Sequence, residues 1–375
     1  MQTTISLESN MKPLKLGIIG CGNISKTYFA GAKNFRSIEV VACADLHRPS
    51  AEAKATEFGV EAKEISQLLN DPNIDMIINL TIPQAHAEVS LAALEAGKHV
   101  HCEKPLAIHL ADAAKILDLA KKKKLRVGCA PDTFLGAGLQ TCRKLIDDGW
   151  IGKPIAGTAF LMGRGPESWH PNPAFFYDIG GGPMLDMGPY YFTALVNFLG
   201  PVKRIIGLAT KTFEERLATC KEHFNEKLPV KVPTFNAGVV EFFSGALITI
   251  GISFDIHKHG HSPIEIYGTE GSLMIPDPNN FGGEIKVFRP ETGGWQTVPF
   301  SHHYNENSRI IGAADMAEAI IAGRPHRSSG ELAYHVLEVM LAFEKLGKEG
   351  GIYQVKSTCE KPLALKVGSV KGILE

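Results

Sequence analysis

The stretch Lys15-Leu16-Gly17-Ile18-Ile19-Gly20-Cys21-Gly22-Asn23-Ile24-Ser25 decides the fold. Its first six residues form a short, nearly continuous apolar run, which reads as a strand buried on both faces. Gly20 and Gly22 follow, and then a helical pattern over Asn23–Asn34. In a strand, glycine turn and helix of this kind, the helix N-terminus offers free N–H groups to a pyrophosphate. Gly20 permits the tight turn, Gly22 lets the backbone approach the phosphates, and Asn23 and Ile24 open the helix beside them. The third position of the fingerprint is Ser25 instead of glycine, and a side chain this small still allows close helix–strand packing. Glycine pairs also make plain turns, so context decides. The next apolar run, Ile38–Ala44, ends on Asp45, 23 residues beyond Gly22, where a carboxylate meets the adenine ribose hydroxyls. Asp45 favours NAD because it repels a 2′-phosphate, while His47 and Arg48 beside it leave NADP open.

Moving outward, Asp75–Thr81, His99–Cys102 and Arg126–Cys129 supply further strands. Helical patterns at Pro49–Phe58 and near 84–96 and 109–123 separate them. Alternating buried strands and helices predict a doubly wound parallel sheet, a Rossmann domain over residues 13–131 preceded by an extension over 1–12. The pattern changes after Pro131. A helix near 136–148 and another over 183–199 precede a β-rich stretch that includes Asn236–Phe243, Ala246–Phe254, Pro263–Tyr267 and Ile285–Arg289. Helices over 308–322 and 330–347 close the chain. Residues 132–375 are therefore expected to form an α/β domain with a large open, mostly antiparallel sheet. The overall fold class is α/β.

With 39 basic and 40 acidic residues the net charge is -1, which gives no global attraction to nucleic acid or to an anionic membrane. The run Lys121-Lys122-Lys123-Lys124 ends a helix, where cations complement the dipole and stay hydrated. No stretch approaches the roughly 18 apolar residues of a membrane span. Seven scattered cysteines without a CxxC pair, and no secretory leader, point to reduced thiols in a cytoplasmic protein. His257, His259 and His261 alternate, yet no carboxylate or cysteine cluster joins them, so they read as a strand-end loop and no metal site is expected.

Three further segments carry a resemblance. Thr81–Ala107 (TIPQAHAEVSLAALEAGKHVHCEKPLA), Gly180-Gly181-Gly182-Pro183-Met184-Leu185-Asp186-Met187-Gly188-Pro189-Tyr190 and Ile264–Leu273 (IEIYGTEGSL) resemble, in this order, the signatures of the glucose–fructose oxidoreductase / inositol dehydrogenase family, Gfo/Idh/MocA. The similarity runs from about residue 13 through nearly all of the chain. It implies hydride transfer between a nicotinamide cofactor and a secondary alcohol of a sugar, glycoside or cyclitol, and a homo-oligomer built through the C-terminal sheet. It also implies that Thr81, Pro83 and His86 line the nicotinamide side of the cleft and that Glu103 lies near the nicotinamide ribose. Lys104 is the implied catalytic lysine, faced by Asp186 and Tyr190. Many members carry histidine where this chain has Tyr190, and the tyrosine form resembles the glucose–fructose oxidoreductase and dihydrodiol dehydrogenase branch.

The chemistry needs a group within hydrogen-bond reach to hold the hydroxyl proton while the hydride leaves. Free lysine and tyrosine titrate near about 10.4 and about 10, so each needs help to act near neutrality. The residues alone leave open whether Lys104 or Tyr190 takes the proton. Asp186 and Tyr190 share one helix face if the helix is continuous, but Pro189 between them is expected to kink it or delay its start. The segment Gly163–Tyr177 combines Arg164, Trp169, His170, Phe176 and Tyr177, aromatic faces plus polar groups that either suit a polyhydroxylated ligand or simply pin an irregular loop. Two alternatives stand beside the dehydrogenase. One is a redox-neutral glycosidase or lyase that retains NAD, and the other is a cofactor-sensing regulator without catalysis.

Overall fold

The computed structural model describes residues 12–374, so the expected N-terminal extension falls, apart from Lys12, outside the described residues. The first sheet comprises β1 (Leu14–Ile19), β2 (Ile38–Ala44), β3 (Glu61–Ala62), β4 (Met76–Asn79), β5 (His99–Cys102) and β6 (Val127–Cys129). Their order is β3-β2-β1-β4-β5-β6 and every pairing is parallel. The connecting helices are α1 (Ser25–Ala32), α2 (Arg48–Phe58), α3 (Ile65–Asn70), α4 (His86–Glu95) and α5 (Leu110–Lys123). The strand order reverses between β1 and β4, which opens a crevice at the carboxyl ends of these strands. All four residues of β4 are buried, as a strand covered on both faces requires. The short pair β3 and α3 was not expected, since a two-residue strand and a six-residue helix are too brief to show a period. Glu64 and Gln67 cap α3 reciprocally and hold it in place of length.

The remaining elements are α6 (Ala137–Asp147), β7 (Pro154–Met162), α7 (Gly182–Leu199), β8 (Val202–Thr210), β9 (Glu215–Leu217), β10 (Lys227–Pro229), β11 (Phe235–Phe242), β12 (Leu247–Ser253), β13 (Ile264–Gly268), β14 (Ser272–Ile275), β15 (Ile285–Phe288), β16 (Gln296–Val298), α8 (Ile311–Ala322), α9 (Gly330–Glu349) and β17 (Tyr353–Gln354). Nine of these strands form one sheet in the order β16-β15-β14-β13-β7-β12-β11-β8-β17, antiparallel except for β7 beside β12. Alternation is strict enough to split its faces. Ile205, Val240, Ile248 and Ile250 are buried on the side that carries α7 and α9, whereas Ile206, Leu208, Val239 and Leu247 are exposed on the other.

Two differences from the sequence reading bear on the site. First, α7 runs on through Pro189 and starts at Gly182, so the proline does not delay it. Every residue from Gly188 to Leu199 is buried, and that packing outweighs the roughly 3 kcal/mol a mid-helix proline costs. Second, α8 packs on the first sheet, and α9 leans on the first as well as the second. Cys129 N–H donates to the Ser328 carbonyl at 3.1 Å, and Gly128 bridges Ser329. One hydrophobic cluster accordingly links Leu16 and Ile78 of the first sheet with Phe192 of α7 and Phe343 of α9, the helices that cover the second. Among the described residues no helix is long and apolar enough to cross a membrane.

Candidate active site

The glycine turn lies at the crevice between β1 and β4. Gly20 has φ +101°, and a Cβ there would stand 2.5 Å from the Leu80 carbonyl oxygen, so only glycine fits. Around Gly22 the opposite holds: a Cβ would meet nothing within 4 Å, leaving the backbone bare toward the crevice. Ser25 is fully buried, and its hydroxyl donates to the Gly22 carbonyl at 2.7 Å, which braces the turn where a third glycine is usual. Among the described residues no backbone acceptor takes the N–H groups of Gly22, Asn23 and Ile24. They form a donor cluster suited to a pyrophosphate. Asp45 Oδ2 accepts from Cys21 N at 2.7 Å and its Oδ1 from His47 N at 2.8 Å, so the carboxylate faces the turn. Arg48 is turned away and donates to Glu52 and Glu64, each at 3.0 Å.

Beyond the turn lies a cleft of about 250 Å³ lined by Ile24, Thr81, Pro83, His86, Glu103, Lys104, Asp186 and Tyr190 among others. Thr81 is anchored to β4, its N–H and hydroxyl donating to Asn79 Oδ1 at 3.2 and 2.7 Å. His86 is buried, with Nδ1 2.6 Å from the Pro105 carbonyl and Nε2 3.0 Å from that of Thr81. Burial pushes its pKa below the usual histidine range, against the pull of the two carbonyls. It staples the loop after β4 to the loop after β5 from beneath. Glu103 is held at both oxygens, by the Tyr28 hydroxyl at 2.7 Å and by Lys104 N at 2.9 Å.

Lys104 Nζ donates to Asp186 Oδ1 at 2.7 Å and to the Asp186 carbonyl at 2.8 Å, and it lies 5.3 Å from the centre of the Tyr190 ring. Because α7 is continuous, Asp186 and Tyr190 stand one turn apart on the same face. Burial opposes the lysine's charge, but Asp186, Tyr190 and Glu103 outweigh it and hold the ammonium well above its ordinary pKa. For Tyr190 burial acts first and raises the phenol, while Lys104 and Arg309 pull it down. In this state Lys104 is a cation and Tyr190 a neutral phenol.

A second cavity, of about 490 Å³, adjoins the cleft and shares Lys104, Phe176, Asp186 and Tyr190 with it. Arg164 and Trp169 line it, and Trp169 is 69% exposed at its rim. His170 lies behind, its ring edge-on to Trp169, Phe175 and Phe176. Tyr177 points elsewhere. It is wholly buried, and its hydroxyl donates to Glu167, which also pairs with buried Arg216. His259 lines the cavity from the loop after β12, and its ring stacks with that of His261. Sequence reasoning missed Asp277, Asn279 and Arg309, which line the same cavity. They sit in loops without motif or period. Arg309 was expected inside a helix beginning at 308, but α8 begins only at Ile311.

Comparison with known proteins agrees with this two-sheet architecture. Residues 14–130 match the model of the Gfo/Idh/MocA oxidoreductase family, NAD-binding Rossmann fold, and residues 139–274 match the model of the Gfo/Idh/MocA C-terminal domain. The chain is 29% identical over 265 residues to 1,5-anhydro-D-fructose reductase of Ensifer adhaerens, covering 69% of this chain and 74% of the relative. It is 30% identical over 270 residues to dTDP-3,4-didehydro-2,6-dideoxy-alpha-D-glucose 3-reductase of Saccharopolyspora spinosa, covering 70% and 75%. A levoglucosan dehydrogenase solved with NADH and L-sorbose superposes with a TM-score of 0.79 at 24% identity, over 92% of this chain and all of that one.

Proposed function

This chain belongs to the Gfo/Idh/MocA family of oxidoreductases with an NAD-binding Rossmann fold, and from that premise we propose that it is an NAD-dependent dehydrogenase acting on a secondary hydroxyl of a sugar, glycoside or cyclitol. One observation carries this reading: the crevice below the glycine turn and the larger cavity meet at Lys104, Asp186 and Tyr190. Groups that can manage a proton thus stand where a cofactor and a polyol would touch. The sugar reductases and the levoglucosan dehydrogenase to which the chain is similar support the substrate class.

Bound NAD supplies the hydride acceptor in its oxidised form and the donor in its reduced form. The chain's residues handle everything else. Gly20, Gly22, Asn23 and Ile24 hold the pyrophosphate, and Asp45 the adenine ribose. Arg48, engaged by Glu52 and Glu64, is not poised for a 2′-phosphate, which favours NAD over NADP. Thr81, Pro83 and His86 wall the nicotinamide side, and Glu103 meets the nicotinamide ribose. Lys104 keeps its proton, held against Asp186, and acts as a fixed positive charge for the substrate oxygen. Tyr190 then gives the proton to a carbonyl oxygen in reduction and receives it in oxidation. Arg164 and Trp169, with His170 bracing the aromatic cluster, contact the remainder of the sugar. Seven cysteines without a disulfide among the described residues suit a reducing, cytoplasmic compartment. The exposed apolar face of the nine-stranded sheet suits self-association.

The test is a panel of sugars, glycosides and cyclitols offered with NAD and with NADP while nicotinamide absorbance is followed. Net NADH formation with at least one polyol, faster with NAD than with NADP, is expected. Substrate consumed without net NADH would instead indicate the redox-neutral glycosidase or lyase. Tight NAD binding without turnover of any kind would indicate a sensor.

A further inference from the structure

Arg309 is a second cation at the Tyr190 phenol, and it arrives from a segment outside the three signature stretches. It stands just before α8, where the backbone runs against α1: a Cβ on Gly31 would come within 2.3 Å of the Arg309 carbonyl oxygen. The next residue, Ile310, is fully buried with φ +82°, a left-handed conformation that β-branched residues avoid. Such strain persists only where the surroundings over-determine it, and it clusters at functional sites. Here Ile310 enters the core while Arg309 lines the larger cavity.

The guanidinium is held in place. It donates to Asn279 Oδ1 at 3.0 Å and to Asn307 Oδ1 at 3.2 Å, and it lies 6.0 Å from the centre of the Phe281 ring. Arg309 and Tyr190 line the same cavity, and the guanidinium charge favours ionisation of the Tyr190 phenol. Among the described residues the side chains that accept from it are the amides of Asn279 and Asn307, whereas Lys104 is committed to Asp186. Tyr190 is faced by Lys104 and Glu103 from the segment after β5, by Arg309 from the segment before α8, and by Asp186 from its own helix. Asp132, after β6, faces Arg309 in turn.

We propose that Arg309 is a positioning residue for proton transfer, which fixes the Tyr190 hydroxyl in the cavity and stabilises the phenolate left when its proton moves to substrate. The inference rests on Tyr190 being the proton-transferring group. In reduction the Tyr190 O–H bond breaks as an O–H bond forms on the substrate oxygen, and the electron pair stays on the phenol oxygen near two cations. The hydride comes from the reduced nicotinamide, and oxidation reverses both transfers.

The first readout needs neither substrate nor cofactor. Tyrosinate absorbance is titrated in the parent and in Tyr190→Phe, and the difference isolates Tyr190. Arg309→Met should move that difference titration upward by about one pH unit or more, and Arg309→Lys by less. In alcohol oxidation Arg309→Met should lose roughly tenfold in kcat near neutrality for every pH unit by which the tyrosine titration rises. The activity should recover toward the parent at high pH, with KM little changed. Added to Tyr190→Phe, Arg309→Met should shift nothing further. If the Met variant does not fold, Asn279→Ala, which frees the guanidinium, should move the same titration upward by a smaller amount. An unmoved tyrosinate titration together with a loss equal at every pH would overturn the Arg309 inference and leave Tyr190 standing. A pH–rate profile unchanged by Tyr190→Phe would instead remove Tyr190 itself.

Discussion

The Lys104 ammonium donates to both oxygens that Asp186 turns toward it, the carboxylate Oδ1 at 2.7 Å and the main-chain carbonyl at 2.8 Å. A residue just after β5 of the parallel sheet is thereby tied to the second turn of α7, which packs under the other sheet. The two donor bonds fix the direction of a side chain that would otherwise rotate freely, and they keep it charged where burial alone would discharge it. Asp186 therefore places the cation and is the first of the groups that maintain it.

Removing the lysine should be expensive for chemistry and cheap for cofactor binding. Lys104→Met is expected to lower kcat by about 10²–10⁴-fold, the usual worth of a positioned acid–base or electrostatic group, with NAD affinity within a few-fold of the parent. Asp186→Asn leaves an oxygen for the ammonium but takes away the charge that raises its pKa. If Lys104 must be protonated, the alkaline limit of activity should move to lower pH in Asp186→Asn. A limit that stays put, read from kcat against pH, would show that Asp186 does not maintain the lysine.

Asp45→Ala should weaken NAD binding more than NADP binding. The carboxylate lost is the one that accepts from Cys21 N and His47 N, and it is the negative charge that disfavours a 2′-phosphate. The ratio of kcat/KM for NADP over NAD should rise. A ratio that is unchanged or falls would take cofactor choice away from Asp45 and direct attention to His47 and Arg48.

Local features of this site are legible in sequence, and contacts made at long range are not. The buried strand Leu14–Ile19, the pair Gly20 and Gly22 and the acid Asp45 follow one another at short spacing, so period and turn chemistry identify them. Lys104 and Asp186 needed the family resemblance, since nothing in their own neighbourhoods says that they meet. Arg309 escaped because the helical pattern from 308 to 322 reads through it. Only the left-handed Ile310, which no propensity scale favours, delays α8 and frees the arginine. The aromatic segment shows a finer limit. Ala174–Tyr177 is a 3₁₀ turn, in which neighbouring side chains point about a third of a turn apart. Phe176 consequently lines the cavities while Tyr177, the more polar candidate, faces Glu167 inside a satellite core.

The outer face of the nine-stranded sheet yields a test of assembly. Ile206 pairs with Val239, and Leu208 lies two residues along β8, 67% exposed. An apolar row of this kind on an open sheet costs solubility unless it is covered. Leu208→Glu combined with Val239→Lys should reduce the mass measured by light scattering to that of one chain without abolishing NAD binding. An unchanged mass would move the interface to another surface.

Asp132 supplies a prediction about stability and pH. It is 1% exposed, and burial pushes its carboxyl up to about 6, against the Gly312 N–H at 3.1 Å and the Arg309 charge that favour ionisation. The folded pKa lies above the unfolded value of about 3.9, so between these two values the folded chain holds a proton that the unfolded chain has released. Stability therefore falls as pH rises through the window from about 4 to about 6, and above it the folded state carries the whole cost of a buried charge. A displacement of about two pH units corresponds to about 3 kcal/mol. Asp132→Asn removes the charge and keeps an oxygen for the Gly312 N–H, at the expense of some attraction for Arg309. Urea unfolding near pH 7.5 should thus show the variant more stable than the parent by up to about 3 kcal/mol, and near pH 4 the gain should disappear. A gain of equal size at both pH values would mean that shape and hydrogen bonding, not ionisation, distinguish the two side chains. A net loss near pH 7.5 would mean that the pull of Arg309 exceeds the cost of burial and that Asp132 is stabilising as an anion.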